Sequence, residues 1–257
     1  MLYYSNVYPF LNNFLAKLIQ PIYNEIGWKE GTGSEADNYT TAQLRPLILG
    51  MACNVGNKHC LSMAGQKFLA WKENGTQISP DLRPVVYKYG MKSVGGDQET
   101  WDWLFERYRS ETNAQEKAKL LSGLASVESP WLLSRLIDLA RDISNVREQD
   151  YFTLLANISG NRVGEPIVWD FYRSEWEYLV NRFSLNDRLL GRMIVVLTNR
   201  FSTSLRLDEM KAFFKKYPEA GAGAQNRKIA LETVENNIRF RESHAKDIHN
   251  WLQNNAV

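Results

Sequence analysis

The sequence predicts an all-α fold, a helical-repeat array of the HEAT or armadillo kind in which short antiparallel helices stack as a superhelix. Three observations predict it. Apolar residues recur at steps of three and four along most of the 257 residues. Glycine-, asparagine- and serine-containing breaks punctuate that pattern at 31–37, 74–75, 94–96, 160–164 and 220–223. No segment alternates with period two around an Asn-Gly-type hairpin. Many short helices with no strands are most simply buried by stacking in pairs. The repeats are not legible as self-similarity, and no linker or composition shift divides the chain, so residues 1–257 read as a single domain.

The elements follow in order. Phe10, Phe14, Leu18 and Ile22 recur every fourth residue and predict an amphipathic helix. The same stretch lacks the charged start, continuous apolar run and small-residue cleavage site of a signal peptide. In TNAQEKAKLLSGLAS, Thr112 and Gln115 have capping-box spacing and Leu120, Leu121 and Leu124 form the buried stripe. In GEPIVWDFYRSEWEYLVNRF, Pro166 suits a first turn, and Trp169, Tyr172, Trp176, Leu179 and Phe183 share one face of one helix. In RLDEMKAFFKKYPEAGAG, Leu207, Met210, Phe214 and Tyr217 are in register until Pro218 and the glycines stop the helix.

Composition excludes several classes of function. With 44% hydrophobic and 23% charged residues the chain can bury a substantial core, and eight Trp argue against disorder. The formal net charge is +2 with both signs interspersed, which leaves no electrostatic footprint for nucleic acid or an anionic membrane. No apolar run reaches the roughly 18 residues of a membrane span.

Catalytic constellations are missing too. The three histidines are His59, His244 and His249, and the last two are five apart, so they face different sides of a helix. Cys53, His59 and Cys60 can be imagined as zinc ligands, but a fourth at zinc-finger spacing is absent. The sequence has no H-E-x-x-H, no G-x-S-x-G, no phosphate-cradling loop and no dinucleotide fingerprint. Asp97, Glu99, Asp208 and Glu209 sit at polar helix starts, where they favour the helix dipole. Cys53 and Cys60 read equally as a bridge or as two buried thiols. Residue-level reading therefore ends at a helical-repeat binding element, and a stand-alone interaction or scaffold protein is one reading of it.

Several runs add a resemblance. TTAQLRPLILGMACNVGNKHC, LRPVVYKYGM with WDWLFERYR, PWLLSRLIDLA, VREQDYFTLLANIS and ETVENNIRF resemble, in order, the C-terminal helical domain of the gluzincin zinc aminopeptidases. AQEKAKLLSGLASV, YLVNRFSLNDRLLGR and KYPEAGAG look like the glutamyl aminopeptidase (aminopeptidase A) branch of that family. The resemblance implies the non-catalytic C-terminal lobe of a membrane-anchored ectodomain, with Met1 falling inside that domain. It implies no catalytic or metal-binding residue and no cofactor in this chain, with zinc held by a catalytic domain upstream. The partners implied are that domain, the N-terminus of a peptide substrate and, since this lobe contributes dimer contacts in the family, a second copy. The location implied is the extracellular face of the plasma membrane.

Site residues follow from the same resemblance. Cys53 and Cys60 match a disulfide of extracellular members, a short ring that the loop-entropy account assigns about 2.5 kcal/mol. Lys88 and Ser126 occupy positions where some relatives carry a second bridge. N-glycosylation sequons stand at Asn38, Asn74 and Asn157, the first two in loop-like stretches and the third late in an apolar helix. Arg188 matches an arginine that reaches toward the pocket for the substrate's first side chain, where a guanidinium can grip a carboxylate with two hydrogen bonds. Arg192, one turn later, is the second choice for that role and reads more readily as a structural partner.

Overall fold

The computed structural model describes residues 2, 5–30, 37–94 and 97–255, and these form thirteen α-helices and no strand. The expected breaks at 31–36 and 95–96 lie outside the described residues. The chain divides into two compact units, one of Asn12–Asp150 and one of Met1–Leu11 with Tyr151–Val257. No helix among the described residues is long and apolar enough to cross a membrane.

The unit Asn12–Asp150 holds most of α1 (Tyr8–Ile26), then α2 (Tyr39–Asn54), α3 (Lys58–Asn74), α4 (Arg83–Ser93), α5 (Gln98–Ser110), α6 (Ala114–Leu124) and α7 (Pro130–Leu139). Helix α4 is its centre and packs on α2, α3 and α6. Close approach of α3 and α4 requires Gly90, because a Cβ there would stand 2.5 Å from Cβ of Phe68. Leu49, Phe68, Met91, Trp101, Leu104 and Leu124 fill the core, and the Trp101 indole N–H donates to the Leu124 carbonyl at 3.2 Å.

Side-chain caps start several of these helices: Asn38 for α2, Asn57 for α3, Asp97 for α5 and Asn113 for α6. The cap of α6 differs from the expected Thr112. Asn113 accepts from the amides of Gln115 and Glu116, and an amide oxygen is the better cap. Two hydrogen bonds from the Thr100 side hold the exposed Asp97 carboxyl below the usual carboxylate range.

The unit containing Tyr151–Val257 is built from α8 (Glu148–Ser159), α9 (Gly164–Ser174), α10 (Trp176–Phe183), α11 (Arg188–Thr198), α12 (Ser204–Lys216), a 3-10 turn (Gly221–Gly223) and α13 (Ala224–Asn255). The run expected to be one helix over 164–183 is two, broken at Glu175. Ser174 Oγ donates to the Phe171 carbonyl, which also accepts from the Glu175 amide, and such back-bonding bends helices. The bend keeps the stripe: Trp169, Tyr172, Trp176 and Leu179 are all buried. On α12 the buried aromatic is Phe213 rather than Phe214, with Met210 beside it. Phe213 then meets Trp169, Tyr172, Trp176 and Tyr217 in one aromatic cluster.

Candidate functional site

Helix α11 carries Arg188 as its first residue. Asp187 caps the helix, its carboxylate accepting from the Leu190 amide at 2.8 Å, so the start of α11 is fixed by the residue before the guanidinium. The helix buries Leu190, Met193, Ile194 and Leu197, while Arg188, Leu189, Arg192 and Val196 are exposed on the opposite side. Its position is set by the 3-10 turn. A Cβ on Gly191 would lie 2.8 Å from the Gly223 nitrogen, so the two backbones touch. The Ala222 amide adds a hydrogen bond to the Leu185 carbonyl at 3.3 Å.

Among the described residues Arg188 has no hydrogen-bond or ion-pair partner, and neither has Arg192. Arg192 was expected to be a structural partner; it is an exposed cation instead. Other charged groups of this unit are committed. Glu209 receives the Trp169 indole N–H at 2.9 Å and the Arg206 guanidinium at 2.8 Å. Burial pushes its pKa up, but those two donors and the neighbouring charges of Arg206 and Arg173 outweigh burial and hold it below the usual range. It is a tertiary tie, not the solvated helix-start carboxylate its position suggested.

The disulfide lies in the other unit. Cys53, near the end of α2, and Cys60, in the first turn of α3, are bonded with their Cα atoms 5.2 Å apart, and both are buried. The turn they close receives α1 through polar contacts. Asn12 donates to the Val55 carbonyl at 2.7 Å, Asn57 donates to Gln20 at 2.9 Å, and the Tyr23 hydroxyl lies 2.6 Å from His59 Nδ1. With the cysteines bonded to each other and His59 engaged by Tyr23, these three residues do not fit a zinc site. No group of three or more His, Cys, Asp or Glu able to hold a metal occurs among the described residues.

The remaining expected positions are also placed. Asn38 is exposed and caps α2 through its side-chain oxygen. Asn74 is exposed at the end of α3, before Gly75 in the left-handed region at φ 67°. Asn157 is half-buried within α8, and the hydroxyl residue of its sequon, Ser159, is buried and bonded to the Ala156 carbonyl. Ser126 lies against Lys88, its hydroxyl donating to the Lys88 carbonyl at 2.7 Å.

Comparison with known proteins agrees with this architecture. Residues 1–236 match the family model described as the ERAP1-like C-terminal domain. The chain is 40% identical over 248 residues to aminopeptidase A of Gloydius brevicauda, covering 96% of this chain and 25% of that protein. It is 40% identical over 250 residues to glutamyl aminopeptidase of Homo sapiens, covering 97% of this chain and 25% of that protein. Aminopeptidase N of Homo sapiens is 30% identical over 261 residues, covering 98% of this chain and 26% of that protein. The chain thus spans about a quarter of the length of the curated relatives it matches. On a family-model match running through both units and an all-helical build, the chain belongs to the ERAP1-like C-terminal domain family.

Proposed function

We propose that this chain is the non-catalytic C-terminal lobe of a membrane-anchored zinc aminopeptidase, a single domain over residues 1–257. It covers the active site and helps recognise peptides with an acidic N-terminal residue. The observation that carries the reading is the identity pattern, 40% to glutamyl aminopeptidases against 30% to aminopeptidase N over nearly the same span. Zinc and the catalytic groups belong to a preceding domain of the same polypeptide. The buried disulfide and the exposed sequon residues Asn38 and Asn74 fit an extracellular setting.

Arg188 supplies the recognition. Its guanidinium is exposed, uncommitted and held at the capped start of a helix seated backbone to backbone on its neighbour. A charge-assisted hydrogen bond to the substrate carboxylate contributes about 1.5–3 kcal/mol, so its loss costs roughly ten- to a hundredfold in preference for acidic residues. In the full-length enzyme, Arg188→Ala lowers kcat/KM for substrates with N-terminal Glu or Asp and leaves neutral ones near wild type. An equal fall in both classes would mean a damaged lobe, and no change in either would remove Arg188 from the site.

A further inference from the structure

The three N-x-[ST] sequons are equivalent in sequence, and the fold treats them differently. Asn74 is the last residue of α3, and Asn74, Gly75 and Thr76 are all exposed. The helix stops there because Gly75 enters the left-handed region. Its amide donates to the Trp71 carbonyl at 3.1 Å, and the Thr76 amide donates to the Ala70 carbonyl at 3.2 Å. Those two bonds hold the backbone of the sequon, while the side chains of Asn74 and Thr76 have no hydrogen-bond partner among the described residues. The bonded Gly75 amide matters for a second reason: it is the nitrogen that attacks the Asn side chain when an Asn-Gly pair deamidates. Asn157 is the opposite case. It is half-buried within α8, Ile158 and Ser159 after it are buried, and the Ser159 hydroxyl is spent on the Ala156 carbonyl at 2.9 Å. A bulky, hydrophilic oligosaccharide there would hold α8 out of its core. Asn38 lies between the two, exposed but with its carboxamide oxygen held as the cap of α2.

We propose that Asn74 carries an N-linked oligosaccharide in the folded protein and that Asn157 is bare. The inference rests on the extracellular setting of the proposed function. The donor is a lipid-linked oligosaccharide pyrophosphate. A bond forms between Asn74 Nδ2 and the anomeric carbon of the first sugar, and the bond from that carbon to the pyrophosphate oxygen breaks. The lipid pyrophosphate leaves with the electron pair, and the carboxamide gives up one proton to base. Addition precedes folding, so the fold acts as a filter. A chain modified at Asn74 loses no side-chain contact, whereas a chain modified at Asn157 cannot bury α8. The exposed turn Gly75–Gln77 then faces solvent in the assembled enzyme, away from any catalytic domain or second copy.

Site mapping tests this on the full-length polypeptide purified from the surface or medium of eukaryotic cells. Peptide-N-glycosidase in heavy-oxygen water converts each modified Asn to a mass-labelled Asp, and deamidation before the digest leaves no label. The label is expected at Asn74 in most molecules and at Asn157 in none. Thr76→Ala, which leaves Asn74 in place, removes the label there, and Thr76→Ser keeps it. A bare Asn74 or a labelled Asn157, in a protein labelled at other asparagines, overturns the inference and leaves the proposed function standing. A label at Asn74 that survives Thr76→Ala also overturns it, since the modification would not be reading the sequon. A polypeptide labelled at no asparagine overturns the inference and the extracellular setting together.

Discussion

Arg45 is 4% exposed, and replacing it with Met tests how far the unit Asn12–Asp150 depends on one guanidinium. Its Nη2 lies 2.7 Å from both carboxylate oxygens of Asp37, and Nε lies 3.2 Å from one of them. Nη1 donates to the Gly27 carbonyl at 2.9 Å and to the Ile26 carbonyl, so the same cation also caps the C-terminal end of α1. Met fills the volume but leaves a carboxylate and two carbonyls without donors. Breaking a buried pair costs about 3–5 kcal/mol, and Asp37, at 18% exposure, recovers part of that from water. The expected loss is therefore about 3 kcal/mol, or about 6–12 °C in Tm at 2–4 °C per kcal/mol. Asp37→Asn costs less, because the carbonyls keep their donor. Replacing both, as Arg45→Met with Asp37→Leu, recovers much of the loss, since no charge is then left unpaired. Thermal and urea unfolding followed by circular dichroism reads all four proteins. A loss under about 1 kcal/mol for Arg45→Met, or a double variant no more stable than the single, would refute the argument.

Two further substitutions probe the two units, one in each. Burial raises the pKa of Glu116, but the Tyr87 hydroxyl at 2.6 Å and the Arg83 and Lys119 cations, each at 3.3 Å, outweigh burial and lower it from 4.5. That stability is present above the unfolded value and disappears as pH falls through the folded one, so Glu116→Gln lowers the urea midpoint at pH 7 and converges with wild type in acid; a pH-independent difference would contradict it. Gly191→Ala places a Cβ 2.8 Å from the Gly223 nitrogen and costs about 1–3 kcal/mol; an unchanged melting curve would show that α11 has room to shift.

The fold class is legible because helix periodicity is a local property, and the stripes holding Trp169, Tyr172, Trp176 and Leu179 or Leu120, Leu121 and Leu124 need no tertiary knowledge. Errors arise where two local signals compete. Thr112 and Asn113 are adjacent cap candidates, and the stronger acceptor takes the position. At 174–175 a serine back-bond bends a helix whose apolar pattern continues unbroken. Phe213 and Phe214 are equivalent in composition, and the aromatic neighbours contributed by α9 and α10 select the first. Polar ties are hidden for a different reason. Glu209 meets Trp169 across 40 residues of sequence and Glu116 meets Tyr87 across 29, so nothing local distinguishes either from a solvated carboxylate. The exposure of Leu18 within the period-four stripe of α1 is hidden in the same way, since the period predicts a stripe and says nothing about which side is covered.

The case for Arg188 depends on contrast with the other arginines of its unit. Arg173 pairs with Asp170 at 2.6 Å and lies over the Trp169 ring. Arg206 pairs with Glu209 and lies over Phe201. Arg227 is nearly buried without a carboxylate, its guanidinium held by the Tyr217 and Glu219 carbonyls and by the rings of Trp176, Phe213 and Phe214. Burial lowers its pKa, and the aromatic faces and the carbonyl end of α12 are what keep the charge tolerable. Each of these cations does its work inside the fold. Arg188 and Arg192 are exposed on the outer side of α11 with no partner among the described residues, four residues apart and flanked by exposed Leu189 and Val196. Arginine at the first position of a helix opposes the dipole, a cost the Asp187 cap offsets but no fold-stabilising contact of Arg188 returns. A side chain placed against the local electrostatic preference, on a helix locked by the Gly191–Gly223 contact, is suited to a ligand that brings its own negative charge. The two arginines are separable on that basis. Arg188→Ala should act on acidic substrates alone, whereas Arg192→Ala tells whether the second guanidinium shares the carboxylate or only adds to the field around it.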